Sequence, residues 1–304
     1  MKESKKKTWE DRWSELISPF CKAPNIMSSE ETVDYIAKNR ASVARFGDGE
    51  LDLIRNAGDL GFQGRNEKLS KRLLETANDK NLLVCIPRNI IKSVCETELN
   101  DYARQCWEKD IKKRLYFWSK YFKKGILYGD STFTRFYMDK KDKSNCAEYA
   151  EKLKTIWQDR EIVLIEGERS RLGVGNDLFD NTKSIERVLC PSENAFDCMD
   201  EIKEFVNSEV PRRKQLILAL GPTATVMASD FAKAGFQAVD VGHVDVEYEW
   251  MRMGATEKVP VPSKYVNEAK IVVDGVRQGY KGTAEAKDEK YHSQIVKSFV
   301  KKEL

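Results

Sequence analysis

Two carboxylates stand two positions apart near the start of the chain. The segment Ala44-Arg-Phe-Gly-Asp-Gly-Glu50 runs from a short apolar stretch into a turn that carries Asp48 and Glu50. In an extended or turn conformation, carboxylates at this spacing can converge on a divalent cation, and the small Gly49 lets a ligand approach the backbone. The alternative is that Asp48 caps a helix over 49–57. We therefore interpret the pair as a candidate metal site.

A second segment combines arginines with glycines after the apolar run 161–165. It reads Glu166-Gly-Glu-Arg-Ser-Arg-Leu-Gly-Val-Gly-Asn-Asp-Leu-Phe179, in which Arg169 and Arg171 can make bidentate contacts with phosphate oxygens. The third glycine of a dinucleotide-binding fingerprint is missing, so NAD binding is disfavoured. The segment is either a phosphate-binding loop or a structural glycine-rich loop.

A third segment, Leu220-Gly-Pro-Thr-Ala-Thr-Val226, leads from a predicted strand into a helix. Free backbone N–H groups at such a helix start, together with the hydroxyls of Thr223 and Thr225, suit a diphosphate. The Gly-Lys-Ser/Thr sequence of a P-loop is absent. Diphosphate binding and a plain helix start both fit this pattern.

The fourth segment, Asp240-Val-Gly-His-Val-Asp-Val-Glu-Tyr-Glu-Trp250, contains one of the two histidines of the chain. If this segment is extended, His243, Asp245 and Glu247 share one face. His243 is then either a metal ligand or a structural residue. The other histidine, His292, lies in a lysine-rich tail. So few histidines exclude a multi-histidine zinc centre.

Seven short apolar runs predict the strands that must position these segments. They span residues 42–46, 82–86, 125–128, 161–165, 185–189, 215–220 and 237–241. Runs of this kind are typical of strands buried on both faces. Helical patterns alternate with them, so we predict an α/β fold with a mostly parallel sheet and helices on both faces. Ligands bind at the carboxyl ends of the strands in such sheets, which is where the four segments fall.

Several helix starts are marked by their residues. The spacing from Ser28 to Glu31 is that of a capping box, Ser192 opens a helix that runs to about residue 210, and the proline of the third segment takes a first-turn position. A long amphipathic helix is predicted over 97–124. Its aromatic residues and lysines indicate either a buried face opposite a solvated face, or a surface for an anionic acceptor or a membrane.

Composition excludes several classes of protein. The 304 residues hold no apolar run longer than about five, so we predict neither a membrane span nor a secretory signal and expect a cytoplasmic protein. The seven cysteines, with no pair closer than eight positions, exclude a disulfide framework and a Cys-x-x-Cys zinc site and predict buried thiols. A net charge of +3 is too balanced for a nucleic-acid-binding protein. The lysine-rich ends at 2–7 and 281–302 are predicted to be solvated arms.

Taken together, the four segments resemble a bacterial glycosyltransferase family first catalogued as domain of unknown function 1792 and now described as the D-type, or GT-D, glycosyltransferase fold. The matching stretches are 45–51, 166–167, 170–179, 190–191, 194–196, 221–225 and 240–250, spread over roughly residues 28–255. Members of this family are Rossmann-like and use UDP-sugars with Mn²⁺ or Mg²⁺. The resemblance implies that Asp48 and Glu50 form the Asp-x-Glu motif that serves the metal. It also implies transfer of a hexose onto a growing glycan of a surface glycoprotein or polysaccharide, with inversion at the anomeric carbon.

The candidate site residues follow from the segments and the resemblance together. The catalytic set is Asp48, Glu50, Asp245, Glu247 and Glu166, of which the last three compete for the role of general base. The candidate metal ligands are Asp48, Glu50 and His243. The nucleotide is assigned to Arg45, Phe46, Gly47, Ser170, Arg171, Asn176, Gly221, Pro222 and Thr223.

The expected organisation is an N-terminal arm over 1–27, a Rossmann-like glycosyltransferase domain over 28–255, and a C-terminal extension over 256–304 that packs on the same domain. The expected partners are a UDP-sugar donor and a glycan acceptor on a protein or lipid carrier, without nucleic acid. Peripheral membrane contact and a homo-oligomer stay open. Two other functions stay open as well, namely a metal-dependent phosphohydrolase or nucleotidyltransferase and a non-catalytic module that binds anionic polymers.

Overall fold

A nine-stranded parallel sheet runs through the protein in a computed structural model that describes residues 8–273, 276–282 and 288–300. The strands are β1 (Asn25–Ile26), β2 (Val43–Arg45), β3 (Leu83–Ile86), β4 (Leu127–Asp130), β5 (Glu161–Gly167), β6 (Ser184–Cys190), β7 (Gln215–Ala219), β8 (Ala238–Asp240), β9 (Val266–Val273), β10 (Val276–Tyr280) and β11 (Ile295–Ser298). The order across the sheet is β1-β4-β3-β2-β8-β7-β5-β6-β11, while β9 and β10 form a separate antiparallel pair. The seven apolar runs of the sequence all form strands of the large sheet.

Helices cover both faces of this sheet. They are α1 (Trp9–Ile17), α2 (Ser29–Asn39), α3 (Asp48–Ile54), α4 (Glu67–Thr76), α5 (Lys92–Glu98), α6 (Asp101–Tyr121), α7 (Cys146–Lys154), α8 (Met199–Glu209), α9 (Pro222–Lys233), α10 (Val244–Arg252) and α11 (Glu289–Ser293). Neighbouring strand residues point to opposite faces. Leu216 and Leu218 pack in one hydrophobic cluster with α4, α6, α8 and α9, while Ile217 packs in a second cluster with α2, α7 and α10. The predicted α/β fold with a parallel sheet between two helical layers is confirmed.

Two predicted helix starts are confirmed by their caps. The backbone N–H of Glu31 donates to Ser28 Oγ over 3.1 Å, and Ser28 N–H donates to a Glu31 carboxylate oxygen over 2.8 Å. These two hydrogen bonds are the capping box that the spacing predicts. Helix α9 begins with Pro222 in its first turn, after Gly221 in a left-handed conformation with φ of 54°.

Two other predicted helices have different bounds. The helix predicted to open at Ser192 begins later, because Asn194 adopts a left-handed conformation and a short 3₁₀-helix precedes α8. The helix predicted over 97–124 is shorter, since α5 ends at Glu98 and the Asn100 side chain caps the new helix α6 by accepting from Ala103 N–H over 2.9 Å. A side-chain cap inside an amphipathic pattern thus separates two helices.

The C-terminal segment is not the solvated arm that its lysines predict. Strand β11 pairs in parallel with β6 at the edge of the large sheet, and Phe299 N–H donates to Leu189 O over 2.8 Å. The Phe299 ring packs edge-on against Phe205 of α8, with 6.2 Å between ring centroids. That prediction is therefore wrong for residues 288–300, because strand pairing and apolar contacts hold this segment on the domain. Residues 2–7 lie outside the described part of the chain.

The N-terminal segment packs on the domain as well. Ser14 of α1 donates to Lys113 O of α6 over 2.9 Å, and β1 pairs with β4. The boundaries drawn at residues 28 and 256 stay predictions. Each of the seven cysteines is a free thiol, as predicted, although Cys106 is exposed. Within the described ranges, no helix is long and apolar enough to cross a bilayer.

Candidate active site

A cleft of about 700 Å³ opens at the carboxyl ends of the parallel strands. Its floor is formed where β2, β3, β4, β5, β7 and β8 end, at Arg45, Pro87, Ser131, Gly167, Ala219 and Asp240. The four segments singled out in the sequence contribute to this one cleft, because parallel strands bring their carboxyl ends to the same edge of the sheet.

Asp48 and Glu50 line the cleft from the first turn of α3. The predicted extended or turn conformation is wrong, because Gly47 caps the helix and Gly47 N–H donates to a Glu50 carboxylate oxygen over 2.7 Å. Burial, with smaller contributions from the negative charges of Asp240 and Asp48, raises the pKa of Glu50 to about 7. The floor of the cleft therefore concentrates negative charge that its own residues do not fully neutralise.

This acidic floor fits a divalent cation only together with substrate. The described residues hold no group of three or more His, Cys, Asp or Glu side chains arranged for a metal. Magnesium commonly binds one or two carboxylates and completes its shell with water and substrate phosphates. Asp48 and Glu50 match that arrangement, and a cation would offset the charge that raises the pKa of Glu50. Among the described residues the structure does not group His243 with them, so a three-residue metal site is not supported.

Arg45 is held at the centre of the floor. Its guanidinium donates to Thr134 Oγ1, while Thr225 Oγ1 donates to the Arg45 carbonyl over 2.8 Å. The guanidinium also lies against Gly242, where a Cβ atom would come within 2.6 Å of Nη1 and where φ is 48°. Arg45 Nε is buried without a hydrogen-bond partner. A fixed guanidinium with an unused donor beside the cleft suits an anionic oxygen.

The predicted diphosphate segment reaches the cleft only through its first two residues, Leu220 and Gly221. Gly221 lines the cleft, and a Cβ atom there would come within 2.5 Å of the Phe62 ring. Pro222 and Thr223 are buried in the first turn of α9 and do not line the cleft, so direct contacts from these two side chains are not supported. What the segment offers to a ligand is the close approach of the backbone at Gly221.

Two of the three candidate bases point away from the cleft. Glu166 is fully buried, forms an ion pair with Arg187 and accepts from Leu172 N–H over 2.7 Å. Glu247 accepts from the backbone N–H groups of Tyr137 and Met138, over 3.0 Å and 2.9 Å. Neither residue lines the cleft. The structure therefore does not support either residue as the general base, since both carboxylates hold loops in place.

The third candidate base, Asp245, lines the edge of the cleft but is already engaged. Its carboxylate forms a buried ion pair with Lys264 and accepts from Gly173 N–H over 3.0 Å. The predicted extended segment is instead the start of helix α10, with His243 as the residue before its first turn. Successive residues of a helix point in different directions, so His243, Asp245 and Glu247 do not share a face.

Three predicted nucleotide contacts also serve the structure instead. Phe46 is fully buried and packs edge-on against Phe122 at 5.2 Å. Arg171 donates to Ser263 O over 2.9 Å and does not line the cleft. Asn176 donates to Asp245 and to Glu249, over 2.7 Å and 2.6 Å. Of the remaining predicted contacts, Gly47 and Ser170 line the cleft.

One wall of the cleft comes from the C-terminal extension, where the sequence marks Tyr265 but none of the other wall residues. The residues around β9 contribute Lys258, Tyr265, Asn267 and Glu268. Glu268 accepts from Arg135 over 2.5 Å, and both Glu268 and Asp139 lie 3.5 Å from Lys258 Nζ. No spacing or motif marks Lys258 and Glu268, because their partners Asp139 and Arg135 lie far away in the chain and meet them only through the fold.

His243 lies where this wall meets the floor. Its Nδ1 is buried, has no hydrogen-bond partner and lies 3.7 Å from Glu268 Oε1. About a third of the side chain is exposed, and the residue lines the cleft. Burial lowers the pKa of His243 to about 4, and the cations Arg135, Arg45 and Lys258 lower it as well, against the opposing effect of Glu268. The imidazole is therefore neutral near pH 7.

Helix α6 forms the opposite wall. Trp118 and Phe122 at its C-terminal end are buried, which confirms the predicted core face. Lys109 and Lys113 are exposed, and they line the cleft together with Cys106, Asp110 and Arg114. The solvated face of the helix is thus also a wall of the site.

Comparisons with known proteins agree with this geometry. Residues 43–269 match the protein family described as "Glycosyltransferase GT-D fold". The chain is 37% identical over 261 residues to the "Probable glycosyl transferase Gly" of Streptococcus gordonii, with 83% of this chain and 37% of that protein covered. It is 34% identical over 270 residues to "Glycosyltransferase GlyD" of Streptococcus pneumoniae, with 88% of this chain and 31% of that protein covered. The chain therefore spans about a third of the length of these relatives.

Solved structures show the same architecture. One, described as "The highly conserved domain of unknown function 1792 has a distinct glycosyltransferase fold", superposes with a TM-score of 0.78 at 35% identity and covers 94% of this chain and 98% of its own. Another, "A New Glycosyltransferase (DUF1792) from Streptococcus sanguinis", superposes with a TM-score of 0.80 at 35% identity and covers 91% of this chain and 100% of its own.

Proposed function

Because this chain belongs to the glycosyltransferases of the GT-D fold, we propose that it transfers a hexose from a UDP-sugar to a growing glycan of a surface glycoprotein or polysaccharide, with a divalent cation and with inversion. The observation that carries this proposal is the meeting of Asp48, Glu50 and Arg45 on the floor of one cleft. Paired carboxylates and a fixed guanidinium are complementary to a metal-bound diphosphate.

In the proposed reaction, the floor of the cleft stabilises the leaving group. When the bond to the sugar breaks, negative charge gathers on the β-phosphate of UDP. Arg45 is positioned to donate to that oxygen, and Gly221 lets the diphosphate approach the backbone next to the start of α9. Asp48 and Glu50 would hold Mn²⁺ or Mg²⁺, which supplies further charge stabilisation when bound.

The acceptor hydroxyl has to lose a proton as it attacks. Among the candidate bases, Glu166 and Glu247 are engaged away from the cleft, and Asp245 is paired with Lys264. His243 is neutral near pH 7, lines the cleft and has Glu268 behind its Nδ1. A carboxylate near one ring nitrogen stabilises the imidazolium that forms when the other nitrogen takes up a proton. We therefore assign the general base to His243.

Product analysis tests this function against hydrolysis or nucleotidyl transfer. We expect thermal stabilisation by UDP with Mn²⁺, and UDP release from a UDP-sugar that requires a glycan acceptor. Asp48→Asn should abolish both responses while the far-ultraviolet circular dichroism stays unchanged. Free phosphate or pyrophosphate as the product, or anionic-polymer binding without any response to UDP, would contradict the proposal.

A further inference from the structure

Helix α1 leaves a row of large apolar side chains uncovered. Trp9 is 78% exposed, Trp13 51%, Leu16 67% and Phe20, just beyond the helix, 86%. Spacings of four, three and four residues place these side chains on one side of a helix. The opposite side is packed, since Ser14 is buried and donates to Lys113 O of α6. The helix is therefore packed against the domain on one side and exposed on the other. We call the exposed side the α1 face.

Two of the three acidic residues of α1 pair with cations of the protein. Glu10 forms an ion pair with Lys120 of α6 over 2.7 Å, and Asp11 pairs with Arg55. These two pairs offset part of the negative charge that would repel an anionic surface from the α1 face.

Basic residues flank the α1 face. Arg12 and Lys22 are exposed next to the apolar row. The sequence immediately before the helix contains four lysines, namely Lys2, Lys5, Lys6 and Lys7. Aromatic and apolar side chains bordered by lysine and arginine are typical of segments that lie in the interface of an anionic bilayer.

We propose that the α1 face binds the surface of an anionic lipid bilayer. Trp and Phe side chains are favourable at the level of the lipid headgroups, and each nearby Lys or Arg adds attraction to anionic lipids. One short apolar face alone binds weakly, but an apolar face and a basic segment together give stable, reversible attachment. A second copy of the chain fits this surface less well, because a symmetric contact would bring two basic borders together.

The position of the α1 face relative to the cleft is consistent with work at a membrane surface. Arg55 bonds both to Asp11 of α1 and, over 3.4 Å, to Asp52, which lines the cleft. Helix α1 is therefore linked through Arg55 to a residue that lines the cleft.

Vesicle sedimentation of the full chain tests the proposal independently of transfer activity. We expect the protein to sediment with vesicles of equal parts phosphatidylglycerol and phosphatidylcholine but not with pure phosphatidylcholine, and salt to weaken this binding. The triple variant Trp9→Ser, Trp13→Ser, Phe20→Ser should bind about tenfold more weakly or less. The matched control Tyr35→Ser, Val272→Ser removes exposed apolar side chains elsewhere and should bind like the wild type. Circular dichroism and thermal melting establish that both variants are folded.

Three results would overturn the proposal. The first is a wild-type protein that does not bind the anionic vesicles. The second is a folded triple variant that binds them as well as the wild type. The third is a wild-type dimer in sedimentation velocity that the triple substitution converts to a monomer without affecting vesicle binding, since a second copy would then be what covers the α1 face.

Discussion

The floor of the cleft and the wall around β9 are built in opposite ways. On the floor, Asp48, Glu50 and Gly221 each follow a strand directly and sit in or just before the first turn of the next helix. On the wall, Glu268 meets Arg135 and His243, which lie more than twenty positions away in sequence. The floor is thus a product of local strand-to-helix connections, whereas the wall is a product of long-range packing.

This difference assigns different parts of the reaction to the two regions. Strand-to-helix connections supply backbone N–H groups and short polar side chains in fixed geometry, which suits the invariant diphosphate of a donor. A wall of long charged side chains from distant elements suits the acceptor side, where a proton has to be removed. Substitutions on the floor should therefore affect donor and metal binding, and those at the wall should affect the proton transfer.

The largest effect is expected on the floor. Asp48→Ala should lower transfer by about a hundredfold to a thousandfold, since it removes charge stabilisation of the leaving diphosphate. The melting temperature should change little, because Asp48 is exposed in the first turn of α3. Steady-state UDP release with and without Mn²⁺ measures this, with exposed Asp200→Ala as the control. Near wild-type transfer by Asp48→Ala would mean that the metal is held elsewhere.

The next effect is expected where the floor meets the wall. His243→Gln should lower kcat by roughly a hundredfold while the affinity for UDP and Mn²⁺ stays the same, because a general base contributes to the chemical step alone. His292→Gln, in helix α11, should leave both kcat and the affinity for UDP and Mn²⁺ unchanged. Kinetics combined with calorimetry separate the two quantities. A loss of Mn²⁺ affinity in His243→Gln would return this residue to the metal site and remove the base from the wall.

A smaller effect concerns stability and pH on the floor. The pKa of Glu50 rises from its ordinary value of 4.5 to about 7 in the folded protein, mainly through burial. The native state then binds this proton more tightly than the unfolded state, so the stability it contributes is present below pH 4.5 and is lost as the pH rises through about 7. Without metal, urea unfolding should show a loss of about 1 to 3 kcal/mol over this range. Glu50→Gln should lack that component, and an identical pH profile in the two proteins would contradict the assignment.

The smallest effect is expected at an arginine outside both regions. Arg171 donates to Ser263 O and does not line the cleft, so Arg171→Lys should leave the affinity for UDP within about twofold while lowering the melting temperature. Isothermal calorimetry and thermal melting measure the two quantities. A clear loss of UDP affinity with unchanged stability would show that the nucleotide reaches beyond the floor, and the contrast between floor and wall would need to be redrawn.

The same contrast explains how much the sequence could predict. Continuous apolar runs and local caps predict the parallel sheet, the start of α2 at Ser28 and the cleft at the strand ends, because all of these depend on neighbouring residues. The directions in which individual side chains point could not be predicted from the sequence in the same way. Glu166 and Arg171 occupy the predicted loop but turn to Arg187 and Ser263, which no local pattern identifies.

The wall around β9 shows the same limit of prediction from sequence, here for residues that the sequence did not mark. Glu268 and Lys258 fall in a segment whose spacing resembles no site, and only their contacts with Arg135 and Asp139 reveal a role. The pKa of His243 is set by the fold in the same way, because burial and, to a smaller extent, the cations that the fold brings around the ring lower it to about 4.

The pairing of β11 with β6 has a consequence for biosynthesis. Residues 295–298 leave the ribosome after all other strands of the large sheet, so β6 stays an edge strand with unpaired backbone groups until β11 has been made. Such an edge is a template for pairing between nascent chains on one messenger RNA. Protection of this edge therefore depends on a short segment that contributes nothing to the cleft.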